Sequence, residues 1–198
     1  EGPGAVGGSS SGDIHIVDVS DLTHPVEVGF IRVPGAGTHN FWMDEANQVL
    51  YAAYYNAGVI KVDVSGTLSG DMSSRILKQV QPGGAGNTYV WGVMLSGGTL
   101  YASDLVRGFW ALDPITLATK GGGNNVPERY SSDQWVAGRY GYSGTWGTRN
   151  ARGNVVKVWS LDATGVPTLA DSVILPNVTT ISDVAVTPDG KMLVTEKF

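Results

Sequence analysis

His39-Asn40, placed directly ahead of the apolar run Phe41-Trp42-Met43, is the polar pair in this chain that is best placed to bind something. Setting Trp42, Trp91 and Trp135 in register with Ala185 brings Asn40, Tyr89, Asp133 and Asp183 to one position, with His39, Thr88, Ser132 and Ser182 just before it. Together His39, Asn40, Tyr89, Asp133 and Asp183 make a polar set of a kind that holds a ligand or a cation. Ca²⁺ is the cation such oxygens would take, with carbonyls and waters completing its shell. A cation held there would polarise a carbonyl for hydrolysis, using His39, Asn40, Asp133 and Asp183 as ligands or base. The structural alternative is that Asp133 and Asp183 accept neighbouring backbone N–H groups where a loop enters a strand. Nucleophilic chemistry is less well supported. His15 falls in a strand-like run and His24 in a turn, and no Gly-x-Ser-x-Gly elbow is present. Gly121-Gly122-Gly123-Asn124-Asn125 lacks the lysine of a phosphate loop and reads as an ordinary loop.

The elements that must position this set are repeated. Ile14-His15-Ile16-Val17-Asp18-Val19-Ser20-Asp21 returns as Val59-Ile60-Lys61-Val62-Asp63-Val64-Ser65-Gly66. Looser copies begin at Phe109 and Val155, so the starts lie 45, 50 and 46 residues apart. A period of that length marks an array of supersecondary units. Each unit reads as four short strands separated by turns, over about 38–80, 87–120, 131–175, with half-units at 14–33 and 181–198. The runs are apolar on both faces, as expected for sheets sandwiched between neighbours. The fold expected is therefore an all-β β-propeller of four-stranded antiparallel blades, with sixteen strands making four blade equivalents. Met192 to Thr195 is expected to pair beside Ile14 to Val19 and close the ring. Closure within one chain gives four blades, closure between two chains gives eight, and the residues could also belong to a longer sequence. Trp42, Trp91 and Trp135, with Tyr51, Tyr101 and Trp146, are expected to pack between blades. Asp18, Asp63 and Asp113 recur at one marker position, which points to a repeated hydrogen-bonding duty at strand ends.

Composition sets the outer bounds. Hydrophobic residues are 42% and charged residues 16%, with 28 glycines and 9 prolines, a balance of short strands and many turns. The net charge of −5 with no basic run leaves no nucleic-acid footprint. The absence of cysteine excludes disulfides and thiolate metal sites. No apolar run approaches the roughly 18 residues of a transmembrane helix, and Glu1-Gly2-Pro3-Gly4 is neither basic nor apolar as a signal peptide would be. Residues 1–13 are Gly/Ser-rich and read as a flexible loop or linker. Asn177-Val178-Thr179 fits a glycosylation acceptor, a triplet common by chance. Arg139, Arg149 and Arg152 mark either a basic edge or a solvated surface.

Ile16-Val17-Asp18-Val19-Ser20-Asp21 with Pro25-Val26, Val62-Asp63-Val64-Ser65, Thr38 to Trp42, Tyr51 to Gly58 and Asp133 to Gly147 resemble the repeats of the LVIVD-repeat β-propeller proteins. The resemblance covers nearly the whole chain and implies a bacterial, exported or cell-surface propeller of poorly defined function, with no catalytic residues to carry over. The function expected is an extracellular binding or structural module for a small ligand or a protein, with no catalysis and no cofactor required. The alternatives are a lactonase-like metal-dependent hydrolase at the channel mouth, and an assembly protein that forms rings or chains of like copies through its half-blades.

Overall fold

The β-branched and aromatic runs fold into strands because each presents two apolar faces to neighbouring sheets, and the polar stretches between them supply turns. A computed structural model describes residues 12–86, 88–124, 129–147 and 151–197. The chain opens with the hairpin of β1 (Ile14–Asp18) and β2 (Val26–Ile31). The first full blade is β3 (Phe41–Asp44), β4 (Val49–Ala53) and β5 (Val59–Asp63), then the two-residue β6 (Gly70–Asp71), a 3-10 turn at Ser73–Arg75, and β7 (Ile76–Val80). The second blade is β8 (Val90–Ser96), β9 (Thr99–Asp104), β10 (Gly108–Leu112) and β11 (Thr119–Asn124). The third is β12 (Arg129–Ala137), β13 (Tyr140–Gly147), β14 (Val155–Leu161) and β15 (Pro167–Ile174), followed by β16 (Thr180–Val186) and β17 (Met192–Lys197). The three four-stranded sheets run in sequence order and are antiparallel throughout. The chain is an all-β propeller, with 17 strands among the described residues where sixteen are expected, because β6 adds a short parallel strand to β2.

Local chemistry explains the turns. Gly97 and Gly98 both take positive φ, 55° and 74°, and close the two-residue hairpin between β8 and β9 as a primed turn requires. The marker aspartates share the expected duty. Asp18 accepts the Ser20 N–H at 2.8 Å, Asp63 the Ser65 N–H at 2.9 Å, and Asp113 the Ile115 and Thr116 N–H groups at 3.0 and 2.7 Å. Asp162 repeats the motif toward Thr164 and Val166. These hydrogen bonds favour the charged form and hold all four carboxyls below the usual carboxylate range.

Four apolar interfaces join the five sheets in order. Ile14 and Ile31 of the first hairpin meet Ala52, Ile60 and Val62 of the first blade. Tyr51, Ala53 and Val59 meet Val90, Val93, Leu100 and Leu112 of the second. Met94, Tyr101 and Phe109 meet Val136, Trp159 and Leu161 of the third. Val156 of the third blade meets Ile181 and Val184 of the last hairpin.

Three expectations change. Met192 to Thr195 does not pair beside Ile14 to Val19: β16 and β17 form a sheet of their own, and among the described residues β1 pairs with β2 alone. Phe41 and Met43 of β3 stand 49% and 43% exposed. Gly121 to Asn124 is strand, not loop. β11 runs so close to β10 that a Cβ at Gly122 would lie 2.3 Å from the Phe109 carbonyl oxygen, and only glycine fits there. Asn125 lies outside the described residues. Of the predicted linker, residues 1–11 lie outside them as well, while Asp13 is anchored, accepting a forked pair of hydrogen bonds from Arg32.

Candidate functional site

The entry to the inner strands is shaped by bulges. In β8 the register slips between Val90 and Gly92, in β12 between Ser131 and Gln134, and in β16 between Ile181 and Asp183. A bulge leaves a residue unpaired and turns its side chain to a new direction. In β12 it turns Asp133 toward β8, where Gly92 makes room. A Cβ on residue 92 would meet the Asp133 Oδ1, so the carboxylate holds this position because glycine stands opposite it.

Asp133 opens onto a cavity of about 280 Å³ between the first three inner strands. His39, Asn40, Gln134, Trp42 and Trp135 are among its walls. Burial pushes the Asp133 pKa up to about 6, and the nearby charge of Asp183 adds to the rise. The Gln134 backbone N–H and the Asn40 side-chain amide, both donating to it, pull the other way. Gln134 is 3% exposed, and neither its amide oxygen nor its amide nitrogen has a hydrogen-bond partner. An unmet buried amide costs about 1–3 kcal/mol, and such a group in a native fold calls for an explanation. His39 is oriented by its own bond: the Nδ1–H donates to the Trp91 carbonyl at 2.9 Å, and its ring lies 4.3 Å from the Trp91 ring. The Asn40 backbone N–H donates to the same carbonyl at 3.3 Å.

The five residues expected to form one set are thus divided. His39, Asn40 and Asp133 share the cavity. Asp183 stands beside it, exposed on β16, where its carboxylate accepts the Thr195 hydroxyl at 2.8 Å. Tyr89 lies elsewhere. Its ring packs against the cluster of Tyr55, Trp91 and Leu105, and its backbone N–H donates to Asp104. The ungapped register that equates Tyr89 with Asp133 fails because the β8 bulge falls after Tyr89, whereas the β12 bulge takes in Asp133 itself. Among the described residues no group of three or more His, Asp or Glu is placed to hold a metal ion.

Three contributors escape a reading by residue type. Trp42 and Trp135 pack against apolar clusters between blades as expected, and they also wall the cavity. Gln134 carries no sequence signal beyond its place next to Asp133. A second buried carboxylate, Asp104, is fully buried and accepts the N–H groups of Tyr89, Val106 and Arg107 at 3.1, 2.9 and 3.0 Å. Burial outweighs these donors and pushes its pKa up to about 6. It pins the turn between β9 and β10. A larger hollow of about 340 Å³ lies at the turns of the second and third blades. Its Lys120 is bonded to Thr99 at 2.9 Å and its Asp162 to Thr164, so those groups are already satisfied where Gln134 is not.

No family model and no curated protein matches the chain. Solved structures do. The computationally designed Ika4 protein aligns over 87% of this chain and 99% of its own, with a TM-score of 0.58 and 9% identity. The WD40 β-propeller domain of Doa1 aligns over 85% of this chain and 50% of its own, at a TM-score of 0.62 and 13% identity. The C-terminal WD40 domain of Sif2 aligns over 89% and 48%, at 0.63 and 11%. The chain therefore spans about half the length of the WD40 structures it matches, and at these identities the likeness is one of fold: its blades are those of a β-propeller.

Proposed function

We propose that the protein is a binding module that takes a small polar ligand, or a side chain of a protein partner, in the cavity of the first three inner strands, with no catalytic step of its own. The observation that carries this reading is the cavity walled by Trp42 and Trp135, onto which Asp133 opens and among whose lining residues Gln134 has a buried amide with both polar atoms unpaired. Its lining is about evenly polar and apolar, and ligand sites are concave, with a small number of convergent polar groups that fix the ligand's orientation. The solved neighbours support the fold that carries the site. As part of the same proposal, the module works outside the cytoplasm, a reading supported by the resemblance of its repeats to LVIVD-type propellers. A ligand-detected NMR screen of neutral, anionic and cationic small molecules tests it. Hits are expected that Trp135→Ala weakens at least tenfold. A screen with no hits, or with hits indifferent to that substitution, would contradict it.

A second reading, assembly through the half-blades, is favoured by one observation. Among the described residues β1 and β17 are each paired on one side only, Leu193 of β17 is exposed, and so are Phe41 and Met43 of β3. Sheet edges and apolar faces of this kind are what a further strand pair covers.

A further inference from the structure

We propose that the cavity takes a primary ammonium group, with Asp133 as its counter-charge, the side-chain oxygens of Asn40 and Gln134 as further acceptors, and the indoles of Trp42 and Trp135 as its walls. This rests on the cavity being a binding site, and it names the chemistry of what binds.

Four observations converge. The groups acting on the Asp133 carboxylate are the Gln134 backbone N–H, the Asn40 amide and the like charge of Asp183, and no cation is among them. A buried carboxylate without a cation is costly, and a cationic ligand is the partner that would relieve it. Gln134, one of the lining residues, carries a buried amide with both polar atoms unpaired, and an ammonium brings three N–H donors and no acceptor. Trp42 and Trp135, with Phe41, present aromatic surface in the cavity, and indole faces attract ammonium groups. Finally, about 280 Å³ suits a head group or a small molecule and is at the low end for ligand sites. An anion would meet Asp133 and Asp183. A neutral polyol would leave the carboxylate without its charge partner.

Among the described residues the ionisable groups that face Asp133 are Asp183 on β16 and His39 ahead of β3, while β8 meets it with Gly92. Burial holds the Asp133 pKa up at about 6 in the empty protein. Ammonium affinity is therefore expected to hold above that pH and to fall toward tenfold per pH unit below it, as the carboxyl takes up a proton.

Isothermal titration with n-butylammonium chloride, n-butanol and sodium n-butyrate, and with a lysine-containing tripeptide, tests the proposal on the full chain. The ammonium is expected to bind at least tenfold more tightly than the alcohol, and butyrate not at all. Asp133→Asn is expected to remove that preference. Asp183→Asn, an exposed site whose change leaves the core intact, is expected to weaken ammonium binding two- to threefold, and less so in high salt. Binding of the tripeptide as well as n-butylammonium identifies a protein lysine as an admissible source of the group, and binding of n-butylammonium alone identifies a free amine. Equal binding of ammonium and alcohol, with loss in Trp135→Ala, would overturn the ammonium assignment and leave the binding site standing. Ammonium binding unchanged in both Asp133→Asn and Asp183→Asn would also overturn it. No binding of any probe would overturn both.

Discussion

Asp104 is fully buried and Asp133 half-buried, and both have their pKa pushed up to about 6 by burial. In the unfolded chain each titrates near 3.9, so between about pH 4 and 6 the folded protein holds protons that the unfolded chain has released. Stability is therefore greatest on the acid side of that window and falls as pH rises through about 6, by up to about 3 kcal/mol for Asp104 and by less for the half-buried Asp133. Asp18, Asp63, Asp113 and Asp162 act in the opposite sense. Their pKa values are lowered, so their contribution is present above the unfolded value and is lost below about pH 4. Urea denaturation at about pH 4.5, 6 and 7.5 is expected to show declining stability across the series, and Asp104→Asn or Asp133→Asn to flatten the decline. A stability that rises over the same range would contradict the burial of these two groups. At this scale the sequence yields His39, Asn40 and Asp133, because polar residues ahead of an inner strand are conspicuous against its apolar run. It does not yield Gln134, whose significance is the absence of a partner, nor Gly92, whose significance is the space it leaves for a side chain 41 positions away.

Among the elements, β11 is the sharpest case of sequence and structure diverging. Three consecutive glycines carry no strand propensity, yet the packing of β11 against Phe109, Trp110 and Val166 requires small residues, and the ladder with β10 supplies the hydrogen bonds. A pair of substitutions separates space from backbone conformation. Gly84 and Gly122 both have positive φ, but a Cβ at Gly84 meets nothing within 4 Å while one at Gly122 meets the Phe109 carbonyl. Gly84→Ala is expected to cost about 1 kcal/mol for its φ alone. Gly122→Ala is expected to cost about 1–3 kcal/mol more, read from urea midpoints, and equal losses would contradict the close packing of β11. The four-stranded units were legible because the marker run and its aspartate recur and each asks for the same bonds. The bulges in β8, β12 and β16 were not, since they depend on how strands meet across a sheet rather than on residue type, and they are what moves Tyr89 away from the set.

The whole molecule is a succession of five sheets, each packed on the next, with the hairpins β1–β2 and β16–β17 at its two ends. The half-blade reading belongs to this scale. Sedimentation velocity over a wide concentration range is expected to show reversible association that Phe41→Ser with Leu193→Ser weakens, and a single monomeric species at every concentration would exclude assembly between copies. The central claim is that the succession places one ligand cavity at the inner strands of its first three blades. The chain's six tryptophans report on it directly. Titration of the protein with n-butylammonium chloride and a panel of neutral fragments, followed by the indole N–H resonances, is predicted to move the Trp42 and Trp135 signals. Trp159, whose buried indole donates to the Ser143 hydroxyl at 2.9 Å, is predicted to stay in place. Trp42 and Trp135 signals that remain unmoved by every probe, or that shift no more than that of Trp159, would contradict the account.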